Sequence, residues 1–164
     1  MSAGTSNAAN AAMKANNDLH TLAPKFRAAV DTAITAARAA GLPAIVYEAH
    51  RSAELQEAYY CRGRTVIPPT STVTNARSNL FSWHGFGLAV DVIHETKEWD
   101  VAPEWFAAVA EHFRAAGCRW GGEWRMKDLP HFQWGLCKPS PSDRARELLE
   151  EGGLEAVWKA VDAE

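Results

Sequence analysis

Cysteine is scarce in this sequence, and long apolar runs are missing. Its three cysteines, Cys61, Cys118 and Cys137, are widely spaced, and no pair has the Cys-x-x-Cys spacing of a thiolate zinc site. We therefore expect reduced, partly buried thiols. No run approaches the roughly 18 consecutive apolar residues that a membrane-spanning helix needs, so we expect no stable membrane insertion.

We expect no secretory signal at the start of this sequence, and the chain lacks a strongly basic charge. Residues 1–17 are rich in alanine and asparagine, without a cationic start followed by an apolar core. We predict a flexible N-terminus here. We also predict cytoplasmic synthesis, so that action on an external substrate requires release by another route. The formal net charge of −3 gives no general basic surface for nucleic acid.

What is present is the composition of one soluble globular domain. The 164 residues are 47% hydrophobic and 23% charged, which suffices for a substantial core. We predict a catalytic domain over residues 18–138 and a C-terminal helical extension over 139–164. Periodicity predicts helices over residues 19–40, 52–60, 103–116 and 143–161, the last broken at Gly152-Gly153, and strands over 44–49, 87–93 and 131–134.

Two segments carry the candidate chemistry. The first, residues 81–92, holds His84 and Asp91 seven positions apart, with a glycine-containing turn that folds the histidine back towards the carboxylate. The second, residues 128–134, supplies His131 at the start of a predicted strand. Two imidazoles and one carboxylate form the ligand set of an open catalytic zinc site, so we predict that His84, Asp91 and His131 bind Zn²⁺.

Four further residues complete the predicted active site. Asp128 lies three residues before His131 and could take a proton from the attacking water. Arg51 follows a predicted strand and could bind a carbonyl oxygen or carboxylate. Ser82 and Gln56 are candidates for hydrogen bonds to the backbone of a peptide substrate.

The spacing of these residues resembles a known signature. Ser82-x-His84-x-x-Gly87-x-Ala89-x-Asp91, followed by Asp128-x-x-His131, is similar to the pattern of the D-Ala-D-Ala carboxypeptidase-like zinc peptidases. More narrowly, the sequence resembles the L-alanyl-D-glutamate endopeptidases of phage endolysins and bacterial cell-wall hydrolases. The segments that carry this second resemblance are His50-Arg51-Ser52 with Gln56, Val73-Thr74-Asn75-Ala76, Trp120-Gly121-Gly122 and Asp128-Leu129-Pro130-His131-Phe132.

The resemblance implies a fold, a cofactor and a substrate. It implies an α+β domain with a small antiparallel sheet flanked by helices, as in hedgehog and D-Ala-D-Ala peptidases. It also implies zinc on His84, Asp91 and His131, an acid/base at Asp128, and oxyanion stabilisation by Arg51. The expected function is cleavage of the L-alanyl-D-glutamate bond of peptidoglycan stem peptides by a monomeric enzyme. Aspartate at position 128 agrees with the endopeptidases, since the dipeptidase branch is known for glutamate there.

Three other functions stay open on the sequence alone. The same chemistry could act on D-Ala-D-Ala as a carboxypeptidase or dipeptidase. A zinc-containing wall-binding module without catalysis would keep the ligands but not need Asp128. A nuclease with a histidine-metal site would need a basic groove, which the sequence does not indicate.

Overall fold

The computed structural model describes residues 15–61, 74 and 78–164. Within these ranges the chain forms four α-helices and four β-strands. The helices are α1 (Pro24–Ala39), α2 (Ala53–Cys61), α3 (Pro103–Ala115) and α4 (Asp143–Ala160); the strands are β1 (Ala44–Glu48), β2 (Ala89–His94), β3 (Cys118–Trp120) and β4 (His131–Trp134). The predicted α+β fold class is confirmed.

The strands form one antiparallel sheet in the order β1-β2-β4-β3. Its register matters for the site. Glu48 on β1 lies opposite Asp91 on β2, and Asp91 lies opposite His131 on β4. Residues directly opposite each other in antiparallel strands share a face of the sheet. Three residues that are distant in sequence therefore form one polar row across three strands.

Helices α1 and α3 cover the sheet with apolar stripes. The buried residues of α1 are Phe26, Ala29, Val30, Ala33 and Ala37, and those of α3 are Phe106, Val109, Ala110 and Phe113. Phe113 stacks on Phe132 of β4, with ring centroids 4.1 Å apart. Both helices begin with proline, as expected for a residue whose missing N–H costs nothing in the first turn.

Two details differ from the prediction. The first helix was expected to begin near Leu19, but residues 19–21 form a separate 3₁₀ turn and α1 starts at Pro24. The ring of Pro24 keeps Ala23 extended (φ −55°, ψ 139°), which interrupts the helix. Strand β3 was not predicted, because three residues are too few for an alternating pattern.

Helix α4 packs against the same core as the catalytic segments. Ser142 caps it by accepting a hydrogen bond from the backbone N–H of Ala145, and Gly153 (φ 72°, ψ −169°) interrupts it where a break was predicted. The indole of Trp158 donates to the Phe86 carbonyl at 2.7 Å. None of the helices in the described ranges is long and apolar enough to cross a membrane.

Candidate metal centre and active site

His84 lies on a short 3₁₀ helix, Trp83–Phe86, that leads into β2. Ser82 caps this helix by accepting from the backbone N–H of His84 at 3.3 Å. Gly87 ends it with a left-handed φ of 69°, so the expected glycine turn is present. This turn lets the His84 side chain reach Asp91, with His84 Nε2 3.2 Å from Asp91 Oδ1.

Residues that follow β1 also hold His84 in place through two hydrogen bonds. His84 Nδ1 lies 2.9 Å from the Ala49 carbonyl, and the backbone N–H of Arg51 donates to the His84 carbonyl at 3.0 Å. A carbonyl oxygen only accepts, so Nδ1 carries the proton of the neutral ring. The lone pair of Nε2 then faces Asp91.

His131 reaches the same carboxylate from β4. Its Nδ1 is 3.6 Å from Asp91 Oδ1, and its ring centroid is 5.2 Å from that of His84. One ligand atom from each of His84, Asp91 and His131 lies within 4.8 Å of the others. The structure thus brings together the three predicted zinc ligands, and both imidazoles are buried.

This donor set fits a divalent metal ion. The neutral His84 ring turns the lone pair of Nε2 towards the anionic Asp91 carboxylate, an arrangement that needs a proton or a cation between the two groups. Two imidazole nitrogens and one carboxylate oxygen are a known ligand set of catalytic zinc, with one position left for water. His84, Asp91 and His131 could therefore hold Zn²⁺.

The electrostatic environment of the site shifts the pKa values of Asp91 and Asp128 in opposite directions. Burial alone would raise the pKa of Asp91, but the positive charge of His84 when its ring is protonated, the hydrogen bonds that both histidine rings donate in that form, and the charge of Arg51 hold the pKa of Asp91 well below its usual value. Partial burial and the negative charge of Asp91 instead raise the pKa of Asp128. Asp91 is thus suited to stay ionised, whereas Asp128 accepts a proton more readily.

His131 responds to the same carboxylates. Burial lowers its pKa, but the hydrogen bond to Asp91 and the charges of Asp128 and Asp91 outweigh burial and raise it above the usual value. A negative field that favours a proton on this ring also favours a metal cation beside it.

Asp128 lies at the open edge of the cluster. Its side chain is half exposed, and Oδ2 is 3.9 Å from His131 Nδ1. Its backbone N–H donates to the Gly121 carbonyl at 3.0 Å, and its own carbonyl accepts from the N–H of His131 at 3.2 Å. The predicted general base therefore lies beside the candidate metal ligands and remains accessible to solvent.

Arg51 lies buried behind Asp91 rather than free in the cavity. Its guanidinium donates to the Glu48 carboxylate, to Gln56 Oε1 at 2.7 Å, and to Asp91 Oδ2 at 3.4 Å. It also lies over the Tyr59 ring, 4.8 Å from the centroid, and the Tyr59 hydroxyl donates to Glu48. Arg51 is thus a fixed positive charge next to the candidate metal ligand Asp91.

The two predicted substrate-binding residues have structural partners of their own. Ser82 is the cap described above. Gln56 is fully buried, with its carbonyl oxygen on Arg51 and its amide nitrogen 3.4 Å from Thr74 Oγ1. Their roles towards substrate stay predictions. Thr74 is the one residue of the predicted segment 73–76 that lies within the described residues.

Sequence reasoning missed three contributors to the site. Glu48 lies in the predicted strand 44–49, and an acid in such a strand three residues before Arg51 is the signal that could have indicated it. Gln133 accepts from His131 Nε2 at 2.8 Å. Trp124 lies against the His131 ring, with centroids 4.9 Å apart, and no sequence pattern beyond its aromatic character indicates this contact.

Two comparisons with known proteins bear on this site. Residues 75–134 match the model of a D-alanyl-D-alanine carboxypeptidase family, and this range contains both site segments. The fold is similar to the crystal structure of the Serratia marcescens L-Ala D-Glu endopeptidase ChiX, with a TM-score of 0.55 and 27% sequence identity over 71% of this chain and 82% of that one. These findings confirm the predicted resemblance: the site segments lie within the match to the carboxypeptidase family, and the fold is similar to that of an L-Ala D-Glu endopeptidase.

Proposed function

We propose that this protein is a zinc-dependent peptidoglycan hydrolase that cleaves the L-alanyl-D-glutamate bond of stem peptides, as endolysins do. One observation carries the proposal: a buried His84–Asp91–His131 cluster lies beside a half-exposed Asp128 whose pKa is raised. The similarity to an L-Ala D-Glu endopeptidase supports this choice of bond.

The reaction is hydrolysis of one amide bond. Zinc, when bound, would supply a Lewis acid that makes water acidic enough to attack at neutral pH. Asp128 accepts a proton from the attacking water as its oxygen adds to the L-alanyl carbonyl carbon. When the C–N bond breaks, Asp128 returns that proton to the leaving nitrogen of D-glutamate. The products are an L-alanine carboxylate and a free D-glutamate amino terminus.

Arg51 contributes a fixed positive charge in this proposal. Its contacts to Glu48, Gln56 and Asp91 hold the guanidinium rigid. From its place against Asp91, this preorganised cation stabilises at longer range the negative charge that develops on the substrate's carbonyl oxygen, without reorganisation during the reaction.

The test combines product mapping with one variant. Digestion of purified wall should create new N-terminal D-glutamate. Asp128→Ala should lower kcat by about 10²- to 10⁴-fold while zinc content stays at one per chain. Lys127→Ala, which changes the neighbouring exposed residue, is the matched control and should keep near-normal activity. Wild-type protein that holds zinc but releases no new termini would contradict the enzyme and favour a wall-binding module.

A second candidate is a D,D-carboxypeptidase, which the description of the matching family favours. That enzyme would release free D-alanine from a stem pentapeptide and leave the L-alanyl-D-glutamate bond intact. The two assays, run on one purified stem pentapeptide, distinguish the candidates directly. We further propose that the protein acts on the cell wall as a monomer, after synthesis in the cytoplasm.

A further inference from the structure

Gln133 is a buried polar residue on the strand that carries His131. Its side chain is fully buried, and it follows His131 by two positions on β4, so both side chains lie on one face of the sheet. Phe132, between them, faces the other way and stacks on Phe113 in the core. A buried amide in such a strand is costly unless both of its ends are hydrogen-bonded.

Both ends of the Gln133 amide have partners. Oε1 lies 2.8 Å from His131 Nε2, and Nε2 donates to the Lys138 carbonyl at 3.0 Å. The Lys138 carbonyl can only accept, so the amide nitrogen must face it. The opposite amide orientation would set two oxygens against each other. The oxygen of Gln133 is therefore fixed on His131.

This fixed oxygen decides which nitrogen of His131 carries the proton. An amide oxygen needs an N–H opposite it, so the proton of the neutral ring lies on Nε2 and the lone pair on Nδ1. Nδ1 is the nitrogen that faces Asp91 and Asp128. For His84, the backbone carbonyl of Ala49 determines which ring nitrogen carries the proton, and no substitution removes that carbonyl.

We propose that Gln133 is a positioning residue that holds His131 in the tautomer and ring orientation needed for metal binding through Nδ1. The inference rests on the proposed zinc-peptidase function. An outer acceptor of this kind also makes the ligating nitrogen more basic, and its removal typically costs 10- to 100-fold in metal affinity.

The first test needs no variant. Long-range ¹H–¹⁵N correlation spectra of the zinc-loaded wild-type protein report which imidazole nitrogen carries hydrogen. We expect hydrogen on Nε2 of His131 and on Nδ1 of His84. Hydrogen on Nδ1 of His131 would overturn the inference. A wild-type protein that binds no zinc would overturn the proposed function together with it.

The second test measures zinc affinity by competition with a chelator, at a temperature well below the unfolding transition. Gln133→Met keeps a similar length and removes the amide, and should weaken zinc binding about 10- to 100-fold. Gln133→Glu should restore part of this loss, because a protonated carboxyl can accept from His131 and donate to Lys138. Phe132→Leu, a core change on the same strand, should leave the affinity within about threefold.

The outcomes separate the inference from the function. Tight zinc binding by the wild type with an equal affinity in Gln133→Met would overturn the role of Gln133 and leave the peptidase proposal intact. An equal loss in Phe132→Leu would show that any damage to β4 disturbs the site, and would also overturn it. Loss in Gln133→Met with recovery in Gln133→Glu supports the inference.

Discussion

At the scale of single residues, Arg51 balances two carboxylates, the buried Glu48 and the partly buried Asp91. The strand register sets Glu48 next to Asp91, and the guanidinium donates to both. Both Glu48 and Arg51 are buried, so Glu48 would be an uncompensated charge without Arg51, and Arg51 would keep only the longer contact to Asp91 as an ion pair among the described residues. Glu48 therefore belongs to the site although it touches neither the metal ligands' free nitrogens nor the open cavity.

Glu48→Gln tests this balance. Removing the Glu48 charge takes the buried Arg51 guanidinium's nearest carboxylate away and leaves it the longer contact to Asp91, so we expect a loss of about 3 kcal/mol in the free energy of unfolding. Urea unfolding followed by circular dichroism would measure it. Glu54→Gln, at an exposed position in the first turn of α2, is the control and should change stability by less than about 0.5 kcal/mol. Equal effects of the two substitutions would show that Arg51 does not depend on Glu48.

At the scale of elements, the short turn after β3 lies against two residues of the proposed active site. These are Asp128, in the loop that precedes β4, and His131, the first residue of β4. A Cβ on Gly121 would lie 2.5 Å from the Asp128 carbonyl oxygen and 3.1 Å from the Cβ atoms of Asp128 and His131. Contacts this short to a backbone atom force the chain to move. The absence of a side chain at position 121 thus allows the proposed base and one candidate ligand to lie close together.

Gly121→Ala should therefore damage the site more than the fold. We expect activity to fall by about 100-fold, the cost of roughly 1 Å of misplacement, and zinc affinity to fall with it. Chelator competition and peptide hydrolysis would measure both. Gly41→Ala is the control: it has a positive φ of 84° and nothing within 4 Å of an added Cβ. It should cost about 1 kcal/mol of stability through backbone strain and leave zinc affinity unchanged. An unchanged zinc affinity in Gly121→Ala would contradict the proposal that the site requires a residue without a side chain at position 121.

At the scale of the whole molecule, the burial of two thiols makes the free energy of unfolding depend on pH in alkaline solution. Burial raises the pKa of Cys118 and of Cys137 to about 12, from an ordinary value of 9.0. Between these values the unfolded chain loses two protons that the folded protein retains. Because the folded pKa values are raised, the stabilisation is complete below pH 9 and is lost as pH rises towards 12.

The replacement of both thiols tests this coupling. Each group should make the free energy of unfolding fall by up to about 1.4 kcal/mol per pH unit above pH 9. Cys118→Ala with Cys137→Ala should flatten the slope by up to about 2.7 kcal/mol per pH unit. Urea unfolding at pH 8, 9, 10 and 11 would measure it. Val92→Ala, a buried change without a titrating group, should lower stability at every pH without changing the slope. If the double variant keeps the wild-type slope, the thiols do not control alkaline unfolding.

Much of the fold follows from patterns within single segments. The apolar spacing of residues 26–37 and 106–113 predicted α1 and α3, since a helix repeats every 3.6 residues and neighbours on one face lie close in sequence. Gly153 interrupts α4 where paired glycines predicted a break. In the same way, the two glycines after His84 predicted the turn that carries this side chain back towards Asp91.

Other parts could not be predicted from any one segment. The pairing of Glu48 with Asp91 depends on strand register, and a slip of one residue would move either side chain to the other face. The sequence predicted that Gln56 binds substrate, but it could not show that the side-chain oxygen of Gln56 accepts a hydrogen bond from Arg51. The role proposed for Gln133 depends on the 2.8 Å distance between its Oε1 and Nε2 of His131, which no sequence pattern predicts.

The residue types of the site and the helices and strands that carry them follow from short-range patterns along the chain, because metal-binding motifs and amphipathic stripes recur at fixed spacings. The folded arrangement alone establishes which nitrogen of each histidine faces Asp91, which carboxylates contact Arg51, and why position 121 has no side chain. Those properties depend on distances between segments tens of residues apart, and such distances arise only when the sheet pairs its strands and buries its polar groups with partners.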